Sequence, residues 1–246
     1  YAVTLGTGAA SSFLSGDDVL LAGGTTLTAG TLNSLTISGT LVAAQASGTT
    51  LAMVSGGLLF TGAGTLSVGT ITSSGTSELF LYTNSGSATV SSTISGSGVS
   101  LVKSGLGNLF LKGANLYSGT TFVNQGALIL GTVSALPSGS LVINNASVTQ
   151  AVANSINPSS PVVINGGGVL TLVDANTLNA GITFQNEGGT ATPLLATVGT
   201  LTLGGSITSV NNSFSTTPSI TGTLDLGGSN RTITTTGLSP LDLTIS

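Results

Sequence analysis

Residues 98–131 read GVSLVKSGLGNLFLKGANLYSGTTFVNQGALILG. Within them Gly107 to Leu111 and Gly126 to Leu130 repeat one pattern, glycine followed by alternating leucine or another aliphatic. Successive side chains of a strand point to opposite faces, so an alternation of this kind turns the aliphatic residues inward and their small polar neighbours outward. The same reading extends along the chain to Thr25–Thr28, Leu35–Ser38, Thr65–Val68, Leu170–Val173, Thr200–Leu203 and Thr223–Leu226. Helix formers such as Glu, Lys, Arg and Met are scarce, whereas Thr, Val, Ile and Gly abound. Strands are therefore expected throughout.

The glycine-led pattern recurs at Gly39, Gly64, Gly107, Gly126, Gly139, Gly168, Gly199 and Gly222. Glycine at these points is expected to supply positive φ for tight corners. The spacing is irregular, which reads as a degenerate repeat with inserted loops. Loops are expected at Ser134–Ser140, Val152–Pro161 and Asn211–Pro218, because proline cannot donate to a ladder. Short strands between glycine corners suit a parallel β-solenoid, each coil stacked on the last over a continuous aliphatic column. At about 22 residues per coil and ~4.8 Å per layer, 246 residues would give roughly 11 coils and a rod on the order of 50 Å. A β-sandwich is the alternative, but Asn165-Gly166 is the only Asn-Gly hairpin signal. With no linker-like shift in composition, residues 1–246 are expected to form one elongated domain.

Mean hydropathy is +0.55 and only 4% of residues are charged, which removes the disordered reading that 37 glycines would otherwise invite. Three cations, Lys103, Lys112 and Arg231, stand against seven acids, for a net charge of -4. That balance argues against nucleic-acid binding, and charges this sparse permit self-association. Cysteine is absent, and so are disulfide and thiolate-metal chemistry. No apolar run is long enough for a membrane helix, and a start at Tyr1 without a leader reads as a processed product or excerpt.

Histidine is absent too, which excludes a Ser-His-Asp triad and a histidine zinc site. Asp17 and Asp18 are adjacent; on a strand they would face opposite ways and could not flank one glycosidic bond, so they are expected at a solvated corner. Asp225 and Asp242 lie between leucines and read as outward strand positions, whereas Asp174, Asn176 and Glu187 read as loop or corner residues. Gly6-Thr7-Gly8, Gly62-Ala63-Gly64, Gly96-Ser97-Gly98 and Gly105-Leu106-Gly107 lack the third glycine of a dinucleotide fingerprint and read as turns. The sequons at Asn145, Asn211 and Asn230 are too short a motif to carry weight. No catalytic, metal or cofactor site is expected.

Residues 98–131 as a whole resemble the autotransporter-associated β-strand repeat, L-x-K-x-G-x-G-x-L-x-L-x-G-x-N-x-Y-x-G-x-T-x-V-x-x-G-x-L-x-L-G, departing only in the single Gly119 where the family commonly has two glycines. The resemblance implies an all-β, right-handed parallel β-helix in the secreted passenger of a bacterial autotransporter or a related surface protein. It implies a scaffold without enzymatic activity, and a membrane barrel, if any, outside this chain. On this basis Leu101, Leu109, Leu111, Val123, Leu128 and Leu130 are expected inside, and Gly105, Gly107, Gly113, Gly119 and Gly126 at corners. Asn115 is expected to satisfy corner backbone groups or to stack on a like residue, and Tyr117 to pack rather than bind. The expected partners are sister molecules or neighbouring subunits and glycans, met by outward rows of Thr, Ser and Asn. Lightly charged strand ends at Val3, Leu5, Leu241, Leu243 and Ile245 also allow a filament subunit, and a carbohydrate-active β-helix is the enzyme alternative.

Overall fold

The computed structural model describes residues 2–5, 16–23, 25–45, 48–67, 69–188 and 190–246; Gly6-Thr7-Gly8 and Val68 lie outside the described residues. Among them every paired strand runs parallel to its neighbours and there is no helix. The chain divides into two units, Tyr1–Thr120 and Thr121–Ser246.

In the first unit one sheet stacks Ala2–Leu5, Asp18–Leu21, Gly30–Ile37, Thr50–Phe60, Glu78–Thr83 and Ser100–Ser104 in chain order. A second sheet stacks Thr25–Leu27, Val42–Gln45, Thr65–Ser67, Ser87–Val90 and Asn108–Leu111. Short strands at Thr70–Ser73, Thr93–Gly96 and Leu116–Tyr117 add a further side. The second unit repeats the plan with Thr121–Val123, Leu141–Asn144, Val162–Asn165, Ile182–Asn186, Ile207–Asn211 and Ile233–Gly237 in one sheet. Its other sheet holds Ala127–Leu130, Ser147–Gln150, Val169–Leu172, Leu194–Leu203, Ser219–Asp225 and Thr244–Ile245. Parallel strands that stack in chain order, alternating between two sheets, make each unit a β-solenoid of five to six coils. The hairpins of a sandwich are not found among the described residues: Asn165-Gly166 stands where the chain leaves Val162–Asn165 of one sheet for Val169–Leu172 of the other, and these two strands do not pair.

Register carries the alternation from coil to coil. Leu128 pairs with Val148 and Val148 with Leu170, and all three are fully buried. In the first unit Leu58, Leu81 and Leu79 lie within the same interior as Leu101, Leu109 and Leu111. Val123, Leu128 and Leu130 are likewise buried. Each such side chain contributes about 1.5–3 kcal/mol by leaving water. Two expectations fail at the margin: Leu226 is 42% exposed and Leu224 half-buried. The strand ends at Asp225, and Gly227 at φ 64 turns the chain away before Leu226 can point inward.

Corner glycines serve two needs. Gly126, at φ 67, takes the left-handed conformation that the sequence analysis expects. Gly113 does not; a side-chain carbon there would run into the Ser92 carbonyl of the coil beneath, so close stacking is what demands glycine. Ser134, Asn145, Asn154 and Asp174 take positive φ at other corners, where short polar side chains tolerate it.

The proline segments lie outside the strands, as expected, but they are ordered against one another. Ser134–Ser140 and Val152–Pro161 stack as a third side, joined by a parallel bridge between Leu136 and Ile156. Proline is tolerated because only its carbonyl is used: Pro158 accepts from Asn179 N–H at 2.7 Å and Pro161 from Leu141 N–H at 2.8 Å. Of the expected loop Asn211–Pro218, residues 212–218 lie outside the strands, whereas Asn211 is the last residue of the strand Ile207–Asn211.

One inward position is a lysine. Lys103 follows Leu101 by two residues, pairs with Leu81 and is fully buried. Its Nζ donates to the carbonyls of Ser104 at 3.0 Å and Gly105 at 2.8 Å, where the chain turns out of the strand. Thr83 of the preceding coil ties the same turn, its Oγ1 donating to Gly107 O at 2.9 Å while its own carbonyl accepts from Gly107 N–H at 3.0 Å. Loss of water pushes the Lys103 ammonium down from 10.5 to about 8.

Two measurements check this packing. Leu128→Ala should cost about 2–5 kcal/mol in urea unfolding, and Thr149→Ala, on the outward side of the next coil, within about 0.5 kcal/mol. For Lys103, the folded state releases its proton near pH 8 and the unfolded chain near 10.5, so the unfolded chain holds more protons between those values. The stability difference between the wild type and Lys103→Met should be constant below pH 7, and the wild type should then gain on the variant as pH rises from 8 to 10, by about 1–3 kcal/mol.

Candidate functional site

The repeat segment places its polar residues as structural ties. Asn115 is buried and its Oδ1 accepts the Ile94 N–H at 2.8 Å, satisfying a backbone donor of the preceding coil. This is the first of the two roles expected for it. Tyr117 is 1% exposed and packs in the strand paired with Thr93–Gly96. The single Gly119 sits tightly, its N–H bonded to Val99 O at 2.9 Å, and no side chain fits against that carbonyl. Lys112 lies over the Phe110 ring, 5.8 Å from its centre.

Elsewhere amides stack on amides. On the outer face of the second unit, Asn144 Nδ2 donates to Asn124 Oδ1 and Asn165 Nδ2 to Asn144 Oδ1, both at 2.7 Å and with rungs 20 and 21 residues apart. Inside it, the column through Phe184 turns polar at Ser209, and fully buried Asn186 donates to Asn211 Oδ1 at 2.8 Å across 25 residues. Both reach the segment 212–218 through the Thr216 carbonyl. In-register stacking brings like residues together, and the amide ladder is the polar counterpart of the leucine column.

The carboxylates are dispersed. Asp17 is buried and Asp18 exposed, so the pair faces opposite ways, as strand geometry requires. Only Asp18 matches the expected solvated position; Asp17 is covered because alternation carries it inward with Val19 and Leu21. Asp18 accepts from Ser34 Oγ at 2.6 Å and Asn33 Nδ2 at 2.7 Å, and these bonds hold its carboxyl below the usual range. Asp225 is exposed and caps the Gly227 N–H at 2.9 Å. Asp242, expected to point outward from a strand, is half-buried and outside any strand; the chain folds back there so that its carbonyl takes the Ser209 hydroxyl at 2.6 Å. Asp174 sits in a turn at φ 53 and Glu187 accepts from Asn212 at 2.8 Å, both off the strands as expected, whereas Asn176 opens the strand Asn176–Leu178, is buried, and donates to Val173 O at 2.6 Å. Among the described residues no three His, Cys, Asp or Glu come together as a metal site would need.

The other short motifs fall on corners. Gly62-Ala63-Gly64, Gly96-Ser97-Gly98 and Gly105-Leu106-Gly107 lie in or beside turns, with strands after them. Asn211 of one sequon is buried, whereas Asn145 and Asn230 are exposed. Two features escape the sequence analysis. Composition counts Lys103 as a surface cation, yet its spacing from Leu101 turns it inward. Phe80 and Tyr82, two apart and alternating with Leu79 and Leu81, are turned outward and are 40% and 44% exposed.

Comparison with known proteins agrees with this geometry. Residues 101–130 match the family model described as Passenger-associated-transport-repeat. The chain is 30% identical over 192 residues to the adhesin BmaC autotransporter of Brucella suis biovar 1 (strain 1330). That alignment covers 76% of this chain and 5% of the relative, so the chain spans a small part of that protein's length. No solved structure matches. The repeat signature, its Asn115 and glycine corners, and the stacked parallel coils identify residues 101–130 as an autotransporter passenger repeat built into a β-solenoid.

Proposed function

We propose that this chain is a stretch of a non-catalytic, surface-displayed bacterial β-solenoid that acts in adhesion, through glycans or through copies of itself. The observation that carries the reading is the 30% identity to an adhesin autotransporter over 76% of the chain. Two features support it. The interior takes the aliphatic side chains of coil after coil, and many of the outward strand positions carry Thr, Ser or Asn. Rows of such residues about 4.8 Å apart offer many weak hydrogen bonds, and weak contacts in register gain strength through multivalency. The low charge, with three cations and seven acids, leaves little repulsion between copies.

Adhesion by this route depends on surface density. Beads carrying the purified chain should bind epithelial cells, or one another, with a steep dependence on the amount coupled, while the soluble chain binds weakly. Beads that stay dispersed and bind no cells at any density would remove the adhesive reading.

A further inference from the structure

Among the described residues, the outward face of the first sheet in the first unit carries aromatic side chains in one strand, beside the outward aliphatic Leu59 and Val102 of the neighbouring strands. The strand Glu78–Thr83 alternates strictly, with Leu79 and Leu81 inside and Glu78, Phe80 and Tyr82 outside. Phe80 and Tyr82 stand two residues apart, about 6.6 Å along the strand. In register, Phe80 has Gly57 on one side and Tyr82 has Leu59. Gly57 carries no side chain, so on that side nothing in register stands against the Phe80 ring. Two rungs beyond Gly57 the same row reaches Asp18 by way of Ser34, which binds its carboxylate.

Burial does not account for these rings. An aromatic side chain exposed by some 40% leaves much of its apolar area in water, and here two do so side by side. Glu78, on the same face of the strand, puts a carboxylate acceptor beside them, and three rungs from Phe80, about 14 Å across the sheet, the same row reaches the Asp18 carboxylate, which accepts from Ser34 and Asn33. Neither cation of the first unit stands on this face: Lys103 is turned inward and Lys112 follows a strand of the other sheet. A pyranose ring has the complementary surface, an apolar C–H face that lies flat on an aromatic ring and a rim of hydroxyl donors for carboxylates. The absence of cations on the face selects against acidic sugars.

We infer that Phe80 and Tyr82, with Glu78 beside them and Asp18 three rungs along the same row, form a stacking platform for an uncharged glycan laid across the outer face of this sheet. The inference rests on the adhesion reading above and names a site for it. A shallow open platform holds one sugar chain weakly, and useful affinity comes from many copies displayed together.

Saturation-transfer NMR on the full chain tests it, with cellotetraose, chitotetraose and mannotetraose as neutral probes and 3′-sialyllactose as the acidic one. At least one neutral probe should bind, and its affinity should fall at least tenfold in Phe80→Ser and in Tyr82→Ser, whose thermal unfolding should match the wild type because both side chains point outward. The acidic probe should bind at least tenfold more weakly than the best neutral one. Binding of none of the neutral probes, binding unchanged in both variants, or equal binding of sialyllactose would overturn the platform. So would variants that lose only concentration-dependent self-association in sedimentation, since the face would then be a contact between copies. Bead adhesion that survives the double variant removes this site and leaves the adhesion reading standing; wild-type beads that fail to adhere while neutral sugars still bind remove the adhesion reading and leave the platform.

Discussion

Parallel strands stacked in register put each residue directly against its counterpart one coil away, and the rest of this structure depends on that constraint. A position that is inward in one coil is inward in the next, so aliphatic residues align into columns, as Leu128, Val148 and Leu170 do. The same rule acts on polar groups. Asn124, Asn144 and Asn165 form a ladder because register leaves each amide a matching amide to bond. It acts on glycine as well, because coils 4.8 Å apart leave no room for a side chain where the backbone of one crosses the carbonyl of another.

This constraint explains what the sequence makes legible. Period-two alternation marks strands wherever it is clean, and the match of residues 98–131 to a repeat pattern places interior leucines, Asn115 and Tyr117 where they are found. Legibility fails where residue type and position disagree. Lysine is rarely buried, so Lys103 reads as surface until the alternation through Leu101 is followed one step further. Proline suggests a loop, yet Pro158 and Pro161 need only accept hydrogen bonds in a stacked third side. Asp17, Leu226 and Asp242 depend on where a strand starts or stops, and a shift of one residue exchanges inside for outside.

Lys103 and the Asn186–Asn211 ladder also show how polarity enters such an interior without breaking it. The lysine has the carbonyls of its own turn to bond, and Thr83 of the coil beneath ties that turn from below. The asparagines bond one another and the segment folded over them. Each is a buried group whose partners come from neighbouring coils or corners, so it favours one register over others. The exterior carries few such demands. Outward positions are free to vary as long as they remain soluble, and binding surfaces such as the one around Phe80 and Tyr82 can arise there without disturbing the column beneath.

Cross-strand NOEs in the isotopically labelled protein test this account most directly. In-register parallel stacking predicts amide to Hα contacts that link Leu128 to Val148, Val148 to Leu170 and Lys103 to Leu81, with no strong Hα–Hα contacts between strands. Strong Hα–Hα contacts of antiparallel pairs, or contacts displaced by one residue along these strands, would contradict it.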